Sequence, residues 1–155
     1  MMTNACSVNI NPLIQADEQD WRRLWGAYQR FYAVELTEAI HASTWSRLLD
    51  PAVPIFGAIA RDEDGVAIGL VHHIRHATCW NTADSCYLQD LYVDEGRRGA
   101  GAGRALIAHV VDAAAEYGAA YVHRLTHETN ARAMRLYDHV ATRSGFVQYR
   151  IAIPG

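Results

Sequence analysis

Lysine is absent from this chain: every one of its 14 basic residues is an arginine. That removes the GxxxxGK[ST] phosphate loop, which depends on a lysine ammonium at its end. Cysteine is scarce. Cys6, Cys79 and Cys86 are odd in number and show no CxxC spacing, so the sequence predicts reduced thiols rather than a disulfide framework. Nothing in the sequence pins a histidine to Cys79, so a buried structural thiol is expected there rather than a nucleophile. No apolar run approaches 18 residues, and the opening MMTNACSVNI has neither a basic region nor an apolar core. A membrane span or a secretory leader is therefore not expected, and a cytoplasmic protein is. The formal charge is −3, with no basic stripe. That gives no footing for nucleic acid and suits a cationic substrate. Repeats and low-complexity stretches are missing as well. What remains is 155 residues, half of them hydrophobic and 20% charged: one domain over residues 1–155, able to bury about two thirds of its unfolded surface.

One stretch organises this domain. Residues 86–94, CYLQDLYVD, are rich in aromatic and branched side chains, as a largely buried strand is, with polar Gln89 and Asp90 interrupting it. Ala102, Ala105, Leu106, His109, Val110, Ala113 and Tyr117 then recur at helical spacing. Between strand and helix lies Arg98-Gly99-Ala100-Gly101-Ala102-Gly103-Arg104. Glycines at 99, 101 and 103 permit positive φ and keep Cβ atoms away from the backbone, so several amides can converge at a helix N-terminus. The natural guest there is a phosphate or pyrophosphate, and Arg97, Arg98 and Arg104 add charge. A glycine-rich turn without function would have the same look. The dinucleotide fingerprint does not fit, because Gly101-Ala102-Gly103-Arg104-Ala105-Leu106 lacks the third glycine and Tyr121 stands where an acid is needed.

In chain order, a short strand over 8–10 ends at Pro12. A helix over 16–32 carries Trp21, Leu24, Trp25, Tyr28, Phe31 and Tyr32 on one face, and a helix over 37–49 stops before Asp50-Pro51. The aromatic face is expected to be core, with Phe31, Tyr32 and Glu35 reaching toward a ligand. Strands over 55–61 and 66–76 flank Asp62-Glu63-Asp64-Gly65, a hairpin signal. The strand–turn–helix stretch follows. Gly118 then stops the helix, a strand runs over 121–126, a helix over 130–140, and a last strand over 146–153. The fold class is mixed α/β, in the order β-α-α-β-β-β-α-β-α-β, with strand 121–126 parallel to strand 86–94 by a right-handed crossover.

Arg98-x-x-Gly101-x-Gly103 after a strand and before an amphipathic helix resembles the acyl-CoA motif (Q/R-x-x-G-x-G/A) of the GNAT acetyltransferase superfamily. Downstream, Asn130-x-x-Ala133-x-x-Leu136-Tyr137 followed by Gly145-Phe146 resembles the superfamily's N-x-x-A-x-x-L-Y…G-F segment. YLQDLYV and the earlier WSRLLDP resemble the branch of diamine acetyltransferases and of yeast enzymes that acetylate histones and polyamines. The resemblance implies a GNAT-like sheet splayed between strands 86–94 and 121–126, which opens a slot for the pantetheine arm. It implies acetyl-CoA contacts from Leu91, Tyr92, Val93, Arg98, Gly99, Ala100, Gly101, Ala102, Gly103, Arg104, Asn130, Ala133 and Tyr137. It also implies that the Tyr137 hydroxyl approaches the thioester sulfur, and that such enzymes are often homodimers.

The implied reaction is direct attack of a neutral amine on acetyl-CoA. An alkyl ammonium is protonated at neutral pH, so a base must take its proton. Where the diamine enzymes have Glu-Asp, this chain has Gln89-Asp90. Gln89 cannot be a base, which leaves Asp90, with Glu35 and Glu128 farther off; a structural carboxylate is the competing reading. Expected substrate contacts are Phe31, Tyr32, Glu35, Trp80, Gln89 and Asp90, with His76 and Trp80 near the mouth. Asn130, Ala133, Met134 and Tyr137 share one helix face by their spacing. No metal is expected: His72 and His73 point to opposite sides of a strand, and His123 and His127 lack ligand spacing. The expected function is acetyl transfer to a small primary amine. Acetylation of a protein lysine or N-terminus, and a silent acyl-CoA-binding module, are the alternatives.

Overall fold

Strand pairing builds a five-stranded sheet from β1 (Asn9–Pro12), β2 (Ile55–Arg61), β3 (Ala67–His76), β4 (Ser85–Val93) and β5 (Val122–Arg124), in that spatial order. The first three pairings are antiparallel, and β4 with β5 is parallel. The computed structural model describes residues 7–155; Cys6 and the rest of the N-terminal MMTNAC lie outside the described residues. Among the described residues, four α-helices accompany the sheet: α1 (Glu18–Phe31), α2 (Glu38–Leu49), α3 (Ala102–Glu116) and α4 (Ala131–Val140). A compact unit runs up to Leu125, and a second comprises Thr126–Gly155.

Within the first unit each sheet face has its own core. Leu106, Val110 and Ala114 of α3 pack with Ala58, Ala60, Val71, Cys86 and Leu88. Trp21 and Leu24 of α1 and Trp45 of α2 pack with Ile59, Leu70 and Tyr92. The period of 3.6 supplies a stripe on each helix and the period of 2 divides each strand between them. The Asp62–Gly65 hairpin forms as its sequence predicts, with Gly65 at φ +79°. Thr37 caps α2 by accepting from the Ile40 amide. The turn between α1 and α2 is tied by Gln29, whose Oε1 accepts from the Leu36 amide at 3.1 Å.

A bulge in β4 positions the site. Asp90 stands opposite His72 and Leu88 opposite His73, so Gln89 is an inserted residue. Cys86 and Leu88 therefore belong to the α3 core, whereas Tyr92, also even-numbered, belongs to the α1 core. One extra residue switches the strand's alternation to the other face. The β4–β5 ladder holds for three pairs, Cys86↔Val122 to Leu88↔Arg124, and β4 then runs on to Val93. Arg124 donates from its guanidinium to the carbonyls of Leu88 and Gln89, where the ladder ends.

In the second unit, Asn130 Oδ1 caps α4 by accepting from the Ala133 amide at 3.2 Å, and Arg143 pairs with Asp138 at 2.8 Å. The strand expected over 146–153 is corrected here. No strand is assigned after α4, and Phe146, Val147, Tyr149, Ile151 and Ile153 are exposed. An extended run becomes a strand only through a hydrogen-bonded neighbour, and alternation alone does not supply one.

Candidate active site

The glycine turn adopts the conformation its composition allows, at two of three positions. Gly99 has φ +89° and Gly101 φ +88°, while Gly103 lies inside α3 and needs no special backbone. Gly101 is the residue from which α3 starts, and its carbonyl accepts the first helical bond, from the Ala105 amide at 3.0 Å. The amides of the first turn precede that bond and have no acceptor within the helix. No heavy atom lies within 4 Å of where a Cβ would stand at Gly99 or Gly101. The turn therefore presents donors and a positive helix end to open space, which suits the diphosphate of a CoA ligand.

The three arginines near this turn behave differently from one another. Arg97 is paired with Asp62 at 2.8 Å. Arg98 donates to the Val93 carbonyl at 2.9 Å and lies over the rings of Phe31 and Tyr92, at 5.3 and 5.8 Å. Its work is to join α1 to the end of β4 rather than to stand as a loose cation. Arg104, on the first turn of α3, is exposed. A cleft of about 510 Å³ beside the turn contains Arg23, Arg61 and Arg97, each matched to a carboxylate.

Asp90 lies on the α1 side of the bulge. Its Oδ2 is 3.0 Å from His72 Nδ1, and His72 Nε2 is 2.9 Å from Trp21 Nε1. Around this chain, Trp25 meets His72 edge-on at 4.8 Å and stacks on Tyr28 at 5.3 Å. Tyr28 in turn meets Tyr32 and Tyr92, at 5.0 and 6.2 Å. Burial, reinforced by the Asp90 charge, pushes the Tyr28 hydroxyl above the usual phenol range against an opposing effect of Arg124. An aromatic wall with one carboxylate can hold an alkyl ammonium and accept its proton. Gln89 is exposed on the bulge.

Other expected residues take different places. Phe31 and Tyr32 close α1 beside Tyr28 and Arg98, and Glu35 follows in the exposed turn. Trp80 is 93% exposed in the loop beyond the His76↔Ser85 end of the hairpin. Asp90 is five residue steps along the strand from Ser85, about 17 Å at the usual rise, so Trp80 is not brought to Asp90. His76 pairs instead with His123, Nε2 to Nε2 at 2.9 Å. Cys79, expected to be buried, is exposed, whereas Cys86 is buried. Among the described residues, no group of three or more metal-ligating side chains exists. On α4, Asn130, Ala133, Met134, Leu136 and Tyr137 are half-buried while Arg132, Arg135, Asp138 and His139 are exposed. The face expected from the spacing is thus the sheltered one, although the Asn130 carboxamide oxygen is engaged as a helix cap. The sequence reading missed His72 and Trp21 as site residues. Their signal, a polar residue in an apolar strand and an indole at helical spacing, is shared with ordinary core.

Comparison with known proteins agrees with this architecture. The acetyltransferase (GNAT) family matches residues 14–141. The chain belongs to that family. It is 39% identical over 135 residues, 86% of this chain and 84% of the relative, to the D-amino-acid N-acetyltransferase HPA3 of Saccharomyces cerevisiae. Among solved structures it resembles AAC(6')-Iy in complex with the bisubstrate analogue CoA-S-monomethyl-acetylneamine. That match has a TM-score of 0.84 at 18% identity and covers 96% of this chain and 99% of that one. A ribosomal-protein-alanine N-acetyltransferase of Brucella melitensis gives 0.78 at 20% identity, covering 95% and 99%. At these identities the two structures speak for the fold. No helix among the described residues of this GNAT acetyltransferase is long and apolar enough to cross a membrane.

Proposed function

We propose that this GNAT acetyltransferase transfers the acetyl group of acetyl-CoA to the primary amine of a small molecule, with amino acids the first class to test because the yeast relative's name specifies them. The observation that carries the reading is the Asp90 carboxylate, turned by the bulge to the α1 face, held by His72 and acting on the Tyr28 hydroxyl, with Trp25 and Tyr92 packed on Tyr28. When bound, acetyl-CoA supplies the activated acetyl thioester. The amides at Gly99 to Arg104 would hold its diphosphate, and Leu91, Tyr92 and Val93, paired with β3 but beyond the last β5 pairing, would line the arm. Asp90 takes the ammonium proton, so that nitrogen gains the lone pair it attacks with. Phe31, Tyr32 and Glu35 would border the amine, and the family motif gives Tyr137, with Asn130 and Ala133 on the same helix face, the role of proton donor to the departing sulfur.

Incubation of the purified protein with acetyl-CoA and a panel of D- and L-amino acids, polyamines and peptides, following free thiol, tests the reading. Turnover on small amines is expected. Turnover on peptides alone makes it a protein acetyltransferase, and tight CoA binding without turnover makes it a silent binding module. Gly101→Val, whose Cβ enters the space a phosphate needs, should fold and lose CoA binding in calorimetry; equal affinity removes the diphosphate from that turn.

The family match runs through both compact units, which supports residues 1–155 as one catalytic domain. A homodimer is part of the proposal, supported by the exposed apolar side chains of Phe146, Val147, Tyr149, Ile151 and Ile153. A single monomeric mass in light scattering overturns it. The unpaired thiols of Cys79 and Cys86 are in keeping with a cytoplasmic enzyme.

A further inference from the structure

His72 is buried in the centre of the sheet, 5% exposed, and both of its ring nitrogens are engaged. An indole N–H can only donate, so the Nε2 facing Trp21 Nε1 at 2.9 Å holds a lone pair. The ring proton of the neutral imidazole then sits on Nδ1, 3.0 Å from Asp90 Oδ2, and is donated to it. We propose that His72, locked in this tautomer between the Trp21 donor and the Asp90 acceptor, is the positioning residue for the proton acceptor. It occupies one oxygen of Asp90 and leaves the other turned to the amine. The inference rests on the reading of Asp90 as that acceptor.

The geometry gives this arrangement a direction. The amine's N–H bond breaks, its electron pair stays on nitrogen, and the proton goes to the free oxygen of Asp90, so that ammonium and carboxylate become amine and carboxylic acid. Moving that proton on to His72 would require protonating Nε2, which sets two N–H donors against each other at 2.9 Å. The proton therefore leaves Asp90 for solvent, and His72 fixes orientation without changing charge. The groups facing this chain are Trp25 and Tyr28 from α1, Tyr92 on β4 and Arg124 on β5, with His73 behind it on the opposite face. Of these only Arg124 carries a formal charge at neutral pH.

Two side chains can stand in for the imidazole in different ways. Asparagine at 72 keeps an N–H near the Nδ1 position, whereas leucine fills the space and removes the donor. In His72→Leu, kcat should fall about 100-fold, the KM for acetyl-CoA holding, while His72→Asn stays within about tenfold of the native enzyme. Trp21→Phe keeps a ring in the core and removes the indole donor. In ¹⁵N spectra of the imidazole nitrogens, the native protein should show His72 protonated on Nδ1 alone, and Trp21→Phe should keep the proton on Nδ1, where Asp90 still accepts it, while Nε2 loses the shift that the indole donor imposes. Wild-type kcat in His72→Leu, equal losses in the leucine and asparagine variants, or a native spectrum with the proton on Nε2 each overturn the proposal. Should the His72 variants not fold, the native and Trp21→Phe spectra still decide the tautomer. Asp90→Asn separates the two readings: full activity there rejects Asp90 as acceptor, and the positioning role with it, whatever the spectrum of His72.

Discussion

His72 and His73 are neighbours on one strand and are both buried, yet they belong to different regions. His72 faces α1, where Trp21 and Asp90 engage both its nitrogens. His73 faces α3, stacked on Phe56 at 5.2 Å, with Nδ1 3.8 Å from the Cys86 thiol. Burial, assisted by His109 and His72, pushes His73 down to about 4. On one face a polar group is specified by hydrogen bonds to a titratable partner; on the other it is kept neutral by being dry. The same residue type thus serves chemistry or packing according to the partners its face provides.

The largest test of that division is Asp90→Asn. It should lower kcat by about 10² to 10⁴ while melting temperature and CoA affinity change little; a variant with native turnover would return the α1 face to a structural role. On the other face, Leu106 is fully buried in the α3 core. Leu106→Ala should cost about 2–5 kcal/mol in urea unfolding with turnover per folded molecule unchanged, and a selective loss of kcat there would blur the contrast. Tyr137→Phe, in the second unit, sharpens the definition of chemistry. The maximal rate should drop about 100-fold at constant stability if the hydroxyl donates to the leaving sulfur, whereas lost stability at constant turnover marks a packing ring.

His73 gives the smallest effect, and its sign follows from linkage. Its folded value lies below the ordinary 6.5, so the unfolded chain takes up the proton first as pH falls. The stabilisation is complete above about 6.5, is lost progressively toward 4, and changes no further below that. Between pH 7 and pH 5 the loss should be on the order of 2 kcal/mol. His73→Gln should flatten that part of the stability profile, and His109 and His123, also lowered by burial, leave a shallower slope of the same sign. An unchanged slope in the variant would remove His73 as its source.

Much of the frame was legible in the residues. Asp62 to Gly65 could make a hairpin because glycine meets the positive φ of its last position, and α3 could be drawn because Ala102, Leu106, Val110 and Ala114 repeat every four residues. The family followed from two spaced motifs. Three details did not. The segment 146–153 alternates like a strand, but a ladder needs a neighbour that local pattern cannot name. Arg98 looks like a phosphate ligand in one dimension; only folding brings Phe31, Tyr92 and the Val93 carbonyl around it. Trp80 was expected near the mouth of the site, and strand length carries it to the other end of β4.

By itself the sequence determined the α/β order, the glycine-opened helix and the presence of one carboxylate at the centre of β4, because each depends on short-range geometry: period, φ and charge. Tertiary structure alone decided where that carboxylate points. The choice lies in pairing, since placing Gln89 as the inserted residue between the His72 and His73 registers turns Asp90 from the α3 core to the α1 face. A bulge is a property of two strands together, and its energy comes from contacts such as Trp21 with His72, residues 51 positions apart.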